Sequence, residues 1–360
     1  MKKAYISDCE GPISKNDNAF ELTARYVPNG AHFFTVISRY DDVLADALKK
    51  PGYKAGDTLK LILPFLKAYG VTDRKMRIFS AKTLILIPKV RETLNFIREN
   101  ADTHIVSTSY EHYIRALCRA IDFPFENTYC TKVEIDKYKL TEEEKNRLRE
   151  LAAEIAEMPI IEIPQGAKSL KDFPEKHRRA IQRLDEIFWD EIAKMEIGKI
   201  FGEVNPVGGR EKAKAVKRIA EQLGLDLSEV VYVGDSITDV EAFKAVRRED
   251  GLTISFNGNE YAVREAEIVI MAENALVTAV LAETFCKHGK EKALKLVEDW
   301  GRNALKELGI NPKLKDMFFE VHGDRLPTVE IVKKDNVERL IKESANFRKT
   351  VRGEAIGRLG

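Results

Sequence analysis

Short apolar segments alternate with amphipathic helical segments along much of this chain of 360 residues. Apolar runs that end in turns predict strands, and apolar residues at helical spacing predict the helices between them. Such alternation is typical of a parallel sheet whose strands are joined by right-handed helical crossovers. We therefore predict an α/β fold with a doubly wound parallel sheet. Its predicted strands are 3–7, 103–106, 128–134, 230–233, 252–256 and 268–271.

Three segments depart from this alternation and are predicted to be helical. Residues 14–77 carry apolar residues at helical spacing, and residues 141–197 contain two long charged helices around a short run bounded by prolines. From residue 274 onward the pattern is mostly helical, apart from a short segment at 317–321 before the last helix. The final dozen residues are rich in Arg and Gly, and we expect them to be disordered.

The charge balance predicts no nucleic-acid or membrane partner, although a balanced total can hide a local charged patch. Fifty-nine Lys and Arg residues nearly cancel 58 Asp and Glu residues, which leaves a net charge of +1. No apolar run is long enough to span a bilayer, and the N-terminus does not resemble a signal peptide. The four cysteines lie far apart without a CxxC pair, which is typical of a reducing compartment. We expect a cytoplasmic protein.

Asp8 and Glu10 stand directly after the first predicted strand. A carboxylate at this place can attack phosphorus and form an aspartyl-phosphate, and a second acid can protonate the leaving oxygen and later deprotonate water. An acidic turn after an apolar strand is also common without any function. The two residues alone therefore leave plain turn acids as the alternative.

Ser107 ends the strand 103–106, and Thr108 follows it. The hydroxyl of Ser107 and the backbone amides after it can bind a phosphoryl group, although a helix N-cap serine would have the same sequence. Lys212 lies in the first turn of a predicted helix, where a fixed cation can neutralise phosphate and Asp8 together. A solvated surface lysine is the alternative, and Lys214 is a neighbouring substitute.

The segment Gly234-Asp235-Ser236-Ile237-Thr238-Asp239 follows the apolar run Val-Val-Tyr-Val and is the most specific signal. Asp235 is expected close to Asp8, because ligands bind beyond the carboxyl ends of strands in doubly wound sheets. Magnesium prefers oxygen ligands and keeps several waters, so one or two carboxylates suffice. An N-cap Asp235 and a first-turn Asp239 are the structural alternative.

Taken in order, Asp8-x-Glu10, Ser107, Lys212 and Gly234-Asp235-x-x-x-Asp239 resemble the haloacid-dehalogenase-like superfamily. The chain is similar to its phosphoserine-phosphatase-like branch through residues 106–141 and 212–243, and the second stretch matches Lys212 to the motif lysine. The resemblance implies a Rossmannoid core with a helical cap. The expected division is a core of 1–13, 78–140 and 198–273, a cap of 14–77, an insertion of 141–197 and a C-terminal extension of 274–360.

The resemblance also implies a Mg²⁺-dependent phosphomonoester hydrolase that acts on a small phosphorylated metabolite. Asp8 would be the nucleophile, and the implied Mg²⁺ ligands are Asp8, the backbone carbonyl of Glu10, and Asp235. Ser107, Thr108 and Lys212 would hold the phosphate, with Asp239 as a nearby acid. One departure is Glu10, where the family usually has Asp; its extra methylene moves the carboxyl group and can slow turnover, since misplacement by about 1 Å can cost roughly 100-fold.

Glu21 and Arg25, one helical turn apart in the cap, are candidates for substrate recognition as amine- and acid-binding groups, but the spacing favours an ordinary surface ion pair. A second hypothesis is a scaffold of low or no activity. Its helical insertion or its C-terminal helices would then dock a protein partner or a second copy of the chain. A receiver domain also carries acids and a lysine, but it has no cap and places these residues in another order.

Overall fold

The computed structural model describes residues 3–357 and Leu359. Seven strands in this part of the chain form one sheet in the order β3-β2-β1-β4-β5-β6-β7. Neighbouring strands from β3 to β6 pair in parallel, and β7 pairs antiparallel with β6. The predicted doubly wound α/β fold is confirmed. The strands are β1 (Lys3–Ser7), β2 (Ala101–Tyr110), β3 (Thr128–Thr131), β4 (Val230–Gly234), β5 (Leu252–Phe256), β6 (Ile268–Met271) and β7 (Thr328–Ile331).

The central strands are buried on both faces, which explains their nearly continuous apolar sequences. Every residue of β4, β5 and β6 is buried. The strand order reverses at β1, which lies between β2 and β4. Ligands bind at such a reversal, beyond the carboxyl ends of the strands. Asp8 follows β1 and Asp235 follows β4, so both residues lie at this point.

Helices surround the sheet and build the remaining segments. Those of the first half are α1 (Asn18–Tyr26), α2 (Gly30–Asp42), α3 (Thr58–Ala68), α4 (Asp73–Thr83), α5 (Val90–Asn100), α6 (Glu111–Ile121), α7 (Glu142–Ala156), α8 (Glu175–Asp185) and α9 (Ile200–Glu203). Those of the second half are α10 (Arg210–Leu223), α11 (Val240–Arg248), α12 (Glu260–Glu265), α13 (Leu276–His288), α14 (Lys290–Glu298), α15 (Arg302–Glu307), α16 (Pro312–His322), α17 (Val337–Arg352) and α18 (Glu354–Gly357). No helix in the described residues is both long and apolar enough to cross a membrane.

The segments 14–77 and 141–197 share one hydrophobic core. Phe188, in a π-helical turn after α8, stacks on Tyr40 at 5.7 Å between ring centroids and meets Phe65 edge-on at 6.2 Å. The insertion therefore packs on the cap. The helices also differ from the expected boundaries, since α4 continues past residue 77 and α9 extends the second segment to Glu203.

The C-terminal segment is joined to the core more closely than its helical pattern suggests. Its strand β7 extends the sheet, which the sequence did not predict because the strand has only four residues and lies at an edge. Residues 317–321 lie inside α16 and do not form a separate segment. The expectation of a disordered end is wrong for the described residues, since α17 continues to Arg352 and α18 follows.

Candidate active site

Lys212 and Asp8 form a buried ion pair at the carboxyl edge of the sheet. The Nζ atom of Lys212 lies 2.6 Å from Oδ2 of Asp8. The other oxygen of Asp8 accepts a hydrogen bond from the backbone N–H of Cys9 at 2.7 Å. Burial raises the pKa of Asp8 to about 7, while the charge of Lys212 acts in the opposite direction. The lysine thus favours the ionised carboxylate that a nucleophile requires.

Asp239 holds Lys212 in place from the opposite side. Its Oδ1 atom lies 2.7 Å from Nζ of Lys212 and accepts a hydrogen bond from the Tyr232 hydroxyl at 2.6 Å. Its Oδ2 atom accepts from the backbone N–H groups of Asp235 at 2.9 Å and Ser236 at 3.0 Å. Burial opposes the charge of Lys212, but Asp239 and Asp8 outweigh it and raise the pKa of the lysine. Asp239 therefore caps the turn and orients the lysine as well.

Two glycines allow the loops to approach each other. A Cβ atom at Gly234 would collide with the carboxyl group of Asp239, and one at Gly11 would collide with that of Asp235. Gly11 also has a φ of +109°, which a side chain would strain. The glycines after Glu10 and before Asp235 are therefore required for the two acidic turns to meet.

Asp235 lies against two arginines from the C-terminal helix α17. Its Oδ2 atom accepts hydrogen bonds from Nη1 of Arg348 and, at 3.0 Å, from Nη1 of Arg352. Arg352 also donates to the backbone carbonyls of Lys15, at 3.0 Å, and Asn16. The three charged side chains are buried, with 2–4% of each side chain exposed. The charge of Asp235 is therefore compensated within the chain.

Glu10 lines the same cavity as Asp8 and Asp235. Its Oε1 atom accepts a hydrogen bond from the backbone N–H of Asn18, the first residue of α1, at 2.7 Å. Burial and the nearby charge of Asp17 raise the pKa of Glu10 well above its ordinary value. A raised pKa favours the protonated carboxyl group, which is the form that a general acid requires.

Ser107 and Thr108 reach the site from the irregular end of β2. The register between β2 and β3 shifts after Val106. The helix that follows begins at Glu111, so Ser107 is not its N-cap. The Oγ atom of Ser107 lies 3.1 Å from that of Ser109, and the hydroxyl of Thr108 donates to the carbonyl of Val207 at 3.0 Å. Ser107, Thr108 and Ser109 all line the cavity.

The cavity has a volume of about 100 Å³ and lies between the sheet edge, the cap and the C-terminal segment. Asp41, from α2 of the cap, forms part of its wall. One carboxylate oxygen of Asp41 accepts a hydrogen bond from the backbone N–H of Gly56 at 2.8 Å. Burial, followed by the charge of Asp57, raises the pKa of Asp41 to about 7.

The donor chemistry fits a magnesium ion. Asp8, Asp235 and Asp239 each offer a carboxylate oxygen, and these oxygens lie within 4.8 Å of one another in a buried group. Hard oxygen donors of this kind are those that Mg²⁺ prefers. The carboxyl group of Glu10 is not part of this group among the described residues.

Three other residues named from the sequence, Lys214, Glu21 and Arg25, do not line the cavity. Lys214 is exposed and pairs with Glu211 at 2.7 Å, so Lys212 alone of the two lysines enters the site. Glu21 accepts hydrogen bonds from the side-chain amide of Asn16, at 2.8 and 2.9 Å. Arg25 is exposed, and within the described residues no ion pair joins it to Glu21. Neither Glu21 nor Arg25 is among the residues that line the cavity.

Sequence reasoning did not find Arg348 and Arg352. A signal was present, because Leu340, Ser344, Arg348 and Arg352 recur every four residues and form the buried face of α17. Two arginines on the buried stripe of an amphipathic helix require a partner, since unpaired buried charges are costly. Their partner, Asp235, is 113 residues from Arg348 in sequence, and only the fold brings them together.

The haloacid dehalogenase-like hydrolase family matches residues 175–244, a range that contains Lys212, Asp235 and Asp239. A solved structure of a gene product from Archaeoglobus fulgidus is similar to the whole chain. The two share 29% identity over 100% of this chain and 99% of that one, with a TM-score of 0.81. A phosphoserine phosphatase in its apo form shows a weaker likeness, with 13% identity over 81% of this chain and 100% of that one and a TM-score of 0.42.

The order of the motifs, the sheet that carries them and the family match agree with one another. The chain is therefore similar to the haloacid-dehalogenase-like superfamily in the order of its motifs, and residues 175–244 match the model of that family.

Proposed function

We propose that the protein is a Mg²⁺-dependent phosphomonoester hydrolase that acts on a small metabolite through an aspartyl-phosphate at Asp8. The observation that carries the proposal is the contact of Lys212 with both Asp8 and Asp239, at 2.6 and 2.7 Å, beside the cavity that Asp8 and Asp235 line. A solvated surface lysine, which was the alternative, would be exposed and would not lie fully buried between two carboxylates. A phosphoryl-transfer site needs this arrangement, because a fixed cation there neutralises the charge of the reacting groups.

In the first step, Oδ1 or Oδ2 of Asp8 attacks phosphorus, and the bond from phosphorus to the leaving oxygen breaks. Lys212 and the Ser107 hydroxyl hold the phosphoryl oxygens, with Thr108 beside them. Glu10 donates its proton to the leaving alkoxide, for which its raised pKa is suited. In the second step, Glu10 takes a proton from water, and the water oxygen attacks phosphorus. The bond from phosphorus to the Asp8 oxygen breaks, which releases inorganic phosphate and restores the carboxylate of Asp8.

Asp8, Asp235 and the backbone carbonyl of Glu10 would hold the metal ion. When bound, the ion supplies positive charge that stabilises the phosphoryl oxygens and lowers repulsion between phosphate and Asp8. Asp239 does not need to be a ligand, since both of its oxygens already accept hydrogen bonds.

The scaffold hypothesis rests on helical segments that a phosphatase does not need. In the fold, these segments have internal roles: the insertion packs on the cap, and the C-terminal segment adds β7 to the sheet. The exposed large hydrophobic residues of the described chain are scattered, namely Ile78, Ile85, Ile160 and Val321. No apolar docking face among the described residues favours the scaffold hypothesis.

The test is a screen of phosphate monoesters with Mg²⁺, in which the unmodified protein is compared with Asp8→Asn and with the exposed control Asp335→Asn. We expect turnover by the unmodified protein and the control but not by Asp8→Asn. Intact-mass analysis should detect a protein carrying one phosphoryl group that hydroxylamine removes. Equal residual turnover in Asp8→Asn would refute the proposal. Stable co-purification with a partner, and no turnover across the screen, would favour the scaffold hypothesis.

A further inference from the structure

The C-terminal helix α17 places two positive charges on the carboxylate that would bind the metal ion. Arg348 and Arg352 both donate to Oδ2 of Asp235, and Arg348 also contacts the backbone carbonyls of Asp235, at 3.3 Å, and Asn257, at 3.4 Å. The residues are 3% and 9% exposed, respectively. Such long side chains lose considerable rotamer freedom when buried, so these contacts must provide compensating interactions.

We propose that Mg²⁺ and the guanidinium groups of Arg348 and Arg352 are alternative occupants of Asp235. The C-terminal helix then keeps the site closed, and metal binding and release of the arginines are coupled. This inference rests on the proposed function, because it takes Asp235 as a metal ligand. It adds a control element from the segment that lies outside the resemblance to the family.

Charge balance supports the exchange. Six acidic residues line the cavity, namely Asp8, Glu10, Asp17, Asp41, Asp42 and Asp235. Two guanidinium groups carry the same total charge as one Mg²⁺ ion, so one can replace the other without a change in the net charge of the site. Simultaneous occupancy would place three cationic groups around one carboxylate, in addition to the nearby Lys212. Repulsion of like charges is stronger between buried side chains such as these than in water, because the effective dielectric constant is lower.

The size of the cavity is an independent observation that also indicates that the C-terminal segment closes the site. Arg348, Arg352 and Leu359 line the cavity, which has a volume of about 100 Å³. Sites for small molecules usually have volumes of about 300–1,000 Å³. With the C-terminal residues in place, the cavity is therefore smaller than a typical metabolite site. Withdrawal of the two arginines would open it and expose Asp235 at the same time.

The anchoring of α17 limits the part that must move. Leu340 is fully buried against Val263, Val269 and Met271, and the Ser344 hydroxyl donates to the carbonyl of Gly258 at 2.6 Å. Both anchors precede the arginines in sequence. The exchange therefore requires movement of the helix end after Ser344, and it breaks the arginine contacts with Asp235, Asn257, Lys15 and Asn16.

The experiment measures Mg²⁺ affinity by titration calorimetry on the full chain. The variants are the double substitution Arg348→Ala/Arg352→Ala and the control Lys342→Ala, which removes an exposed charge from the same helix. Because coupling between two ligands is typically about 5–150-fold, we expect the arginine double variant to bind Mg²⁺ at least about 5-fold more tightly than the unmodified protein. Lys342→Ala should bind as the unmodified protein does.

A second measurement uses the unmodified protein and does not depend on the folding of a variant. Trypsin cleaves after arginine, so mass spectrometry can follow cleavage after Arg348 and Arg352 with and without Mg²⁺. We expect Mg²⁺ to accelerate this cleavage, because coupling between the two occupants is reciprocal. In Asp235→Asn, cleavage should be fast and insensitive to Mg²⁺.

The outcomes separate the inference from the proposed function. Equal Mg²⁺ affinity in the unmodified protein and the arginine double variant, with binding abolished by Asp235→Asn, would overturn the inference and leave the metal site standing. Unchanged cleavage on addition of a saturating Mg²⁺ concentration would overturn it as well. A lack of Mg²⁺ binding in all variants would refute both the inference and the proposed metal dependence.

Discussion

The ammonium group of Lys212 lies 2.6 Å from the carboxylate of Asp8, and the lysine is fully buried. Asp239 shares the same ammonium group at 2.7 Å. The charge of a buried lysine must be compensated by nearby negative charge, and the charges of the two buried carboxylates must likewise be compensated by the lysine. The three residues therefore form one electrostatic unit, and the loss of any member affects both stability and reactivity.

Lys212→Met should destabilise the protein by about 3–5 kcal/mol and abolish turnover, because it leaves Asp8 and Asp239 as buried carboxylates without a cation. Chemical unfolding gives the free energy of unfolding, and a phosphatase assay gives the activity. The double variant Lys212→Met/Asp239→Asn should regain part of the stability but none of the activity, since the two residues interact directly. A single variant destabilised by less than about 1 kcal/mol would contradict the role of the buried pair.

Glu10→Gln should slow transfer from an alkyl phosphate by about 10²–10⁴-fold, which is the usual contribution of a positioned general acid. Transfer from p-nitrophenyl phosphate should slow much less, because its leaving group needs no proton. Single-turnover release of the two leaving groups isolates this step. The backbone carbonyl of residue 10 is unchanged in the variant, so metal binding serves as the control. An equal loss with both substrates would argue against proton donation by Glu10.

Phe188→Ala should destabilise the protein by about 3–5 kcal/mol, the usual cost of removing a buried phenyl ring. The ring joins the insertion to the cap through Tyr40 and Phe65. Ile160→Ala is the control, because Ile160 is an apolar residue of the same insertion that is 44% exposed. If both substitutions had small and similar effects on denaturant midpoints, the insertion would not share a core with the cap.

Asp41→Asn should stabilise the protein, relative to the unmodified chain, more at about pH 8 than at about pH 5. Burial and Asp57 raise the pKa of Asp41 from 3.8 to about 7 in the folded protein. Between these values the folded state binds more protons than the unfolded chain, so stability falls as pH rises through this window. Asparagine has no charge to bury and removes this part of the loss.

Denaturant unfolding at the two pH values measures the effect of Asp41→Asn. The exposed residue Asp335 provides the control substitution Asp335→Asn, which should shift stability equally at both pH values. A difference between Asp41→Asn and the unmodified protein that does not depend on pH would contradict the raised pKa.

Much of the fold was predictable from local patterns. The apolar runs of β1, β4, β5 and β6 predicted buried parallel strands, and the turns after β1 and β4 predicted where Asp8 and Asp235 would meet. The resemblance to the family separated Lys212 from Lys214, which spacing alone could not do. The assigned catalytic and metal-binding roles remain predictions, although the fold brings Asp8, Lys212, Asp235 and Asp239 into contact.

Local patterns do not reveal which helical segments pack together. The insertion and the cap each showed amphipathic helices, but only the tertiary structure buries Phe188 against Tyr40 and Phe65. The short edge strand β7 also has no distinctive sequence pattern. It is stabilised by its pairing with β6, which is a contact between distant parts of the chain.

The sequence by itself determined the order of the acidic turns, the serine and the lysine, because strand and helix patterns are local and a parallel sheet gathers strand ends at one edge. Only the tertiary structure decided the partners of Asp235. Arg348 and Arg352 come from the end of the chain, and a contact across more than 100 residues leaves no local pattern. The electrostatic state of the site therefore depends on long-range packing, whereas the positions of its principal acids depend on local sequence.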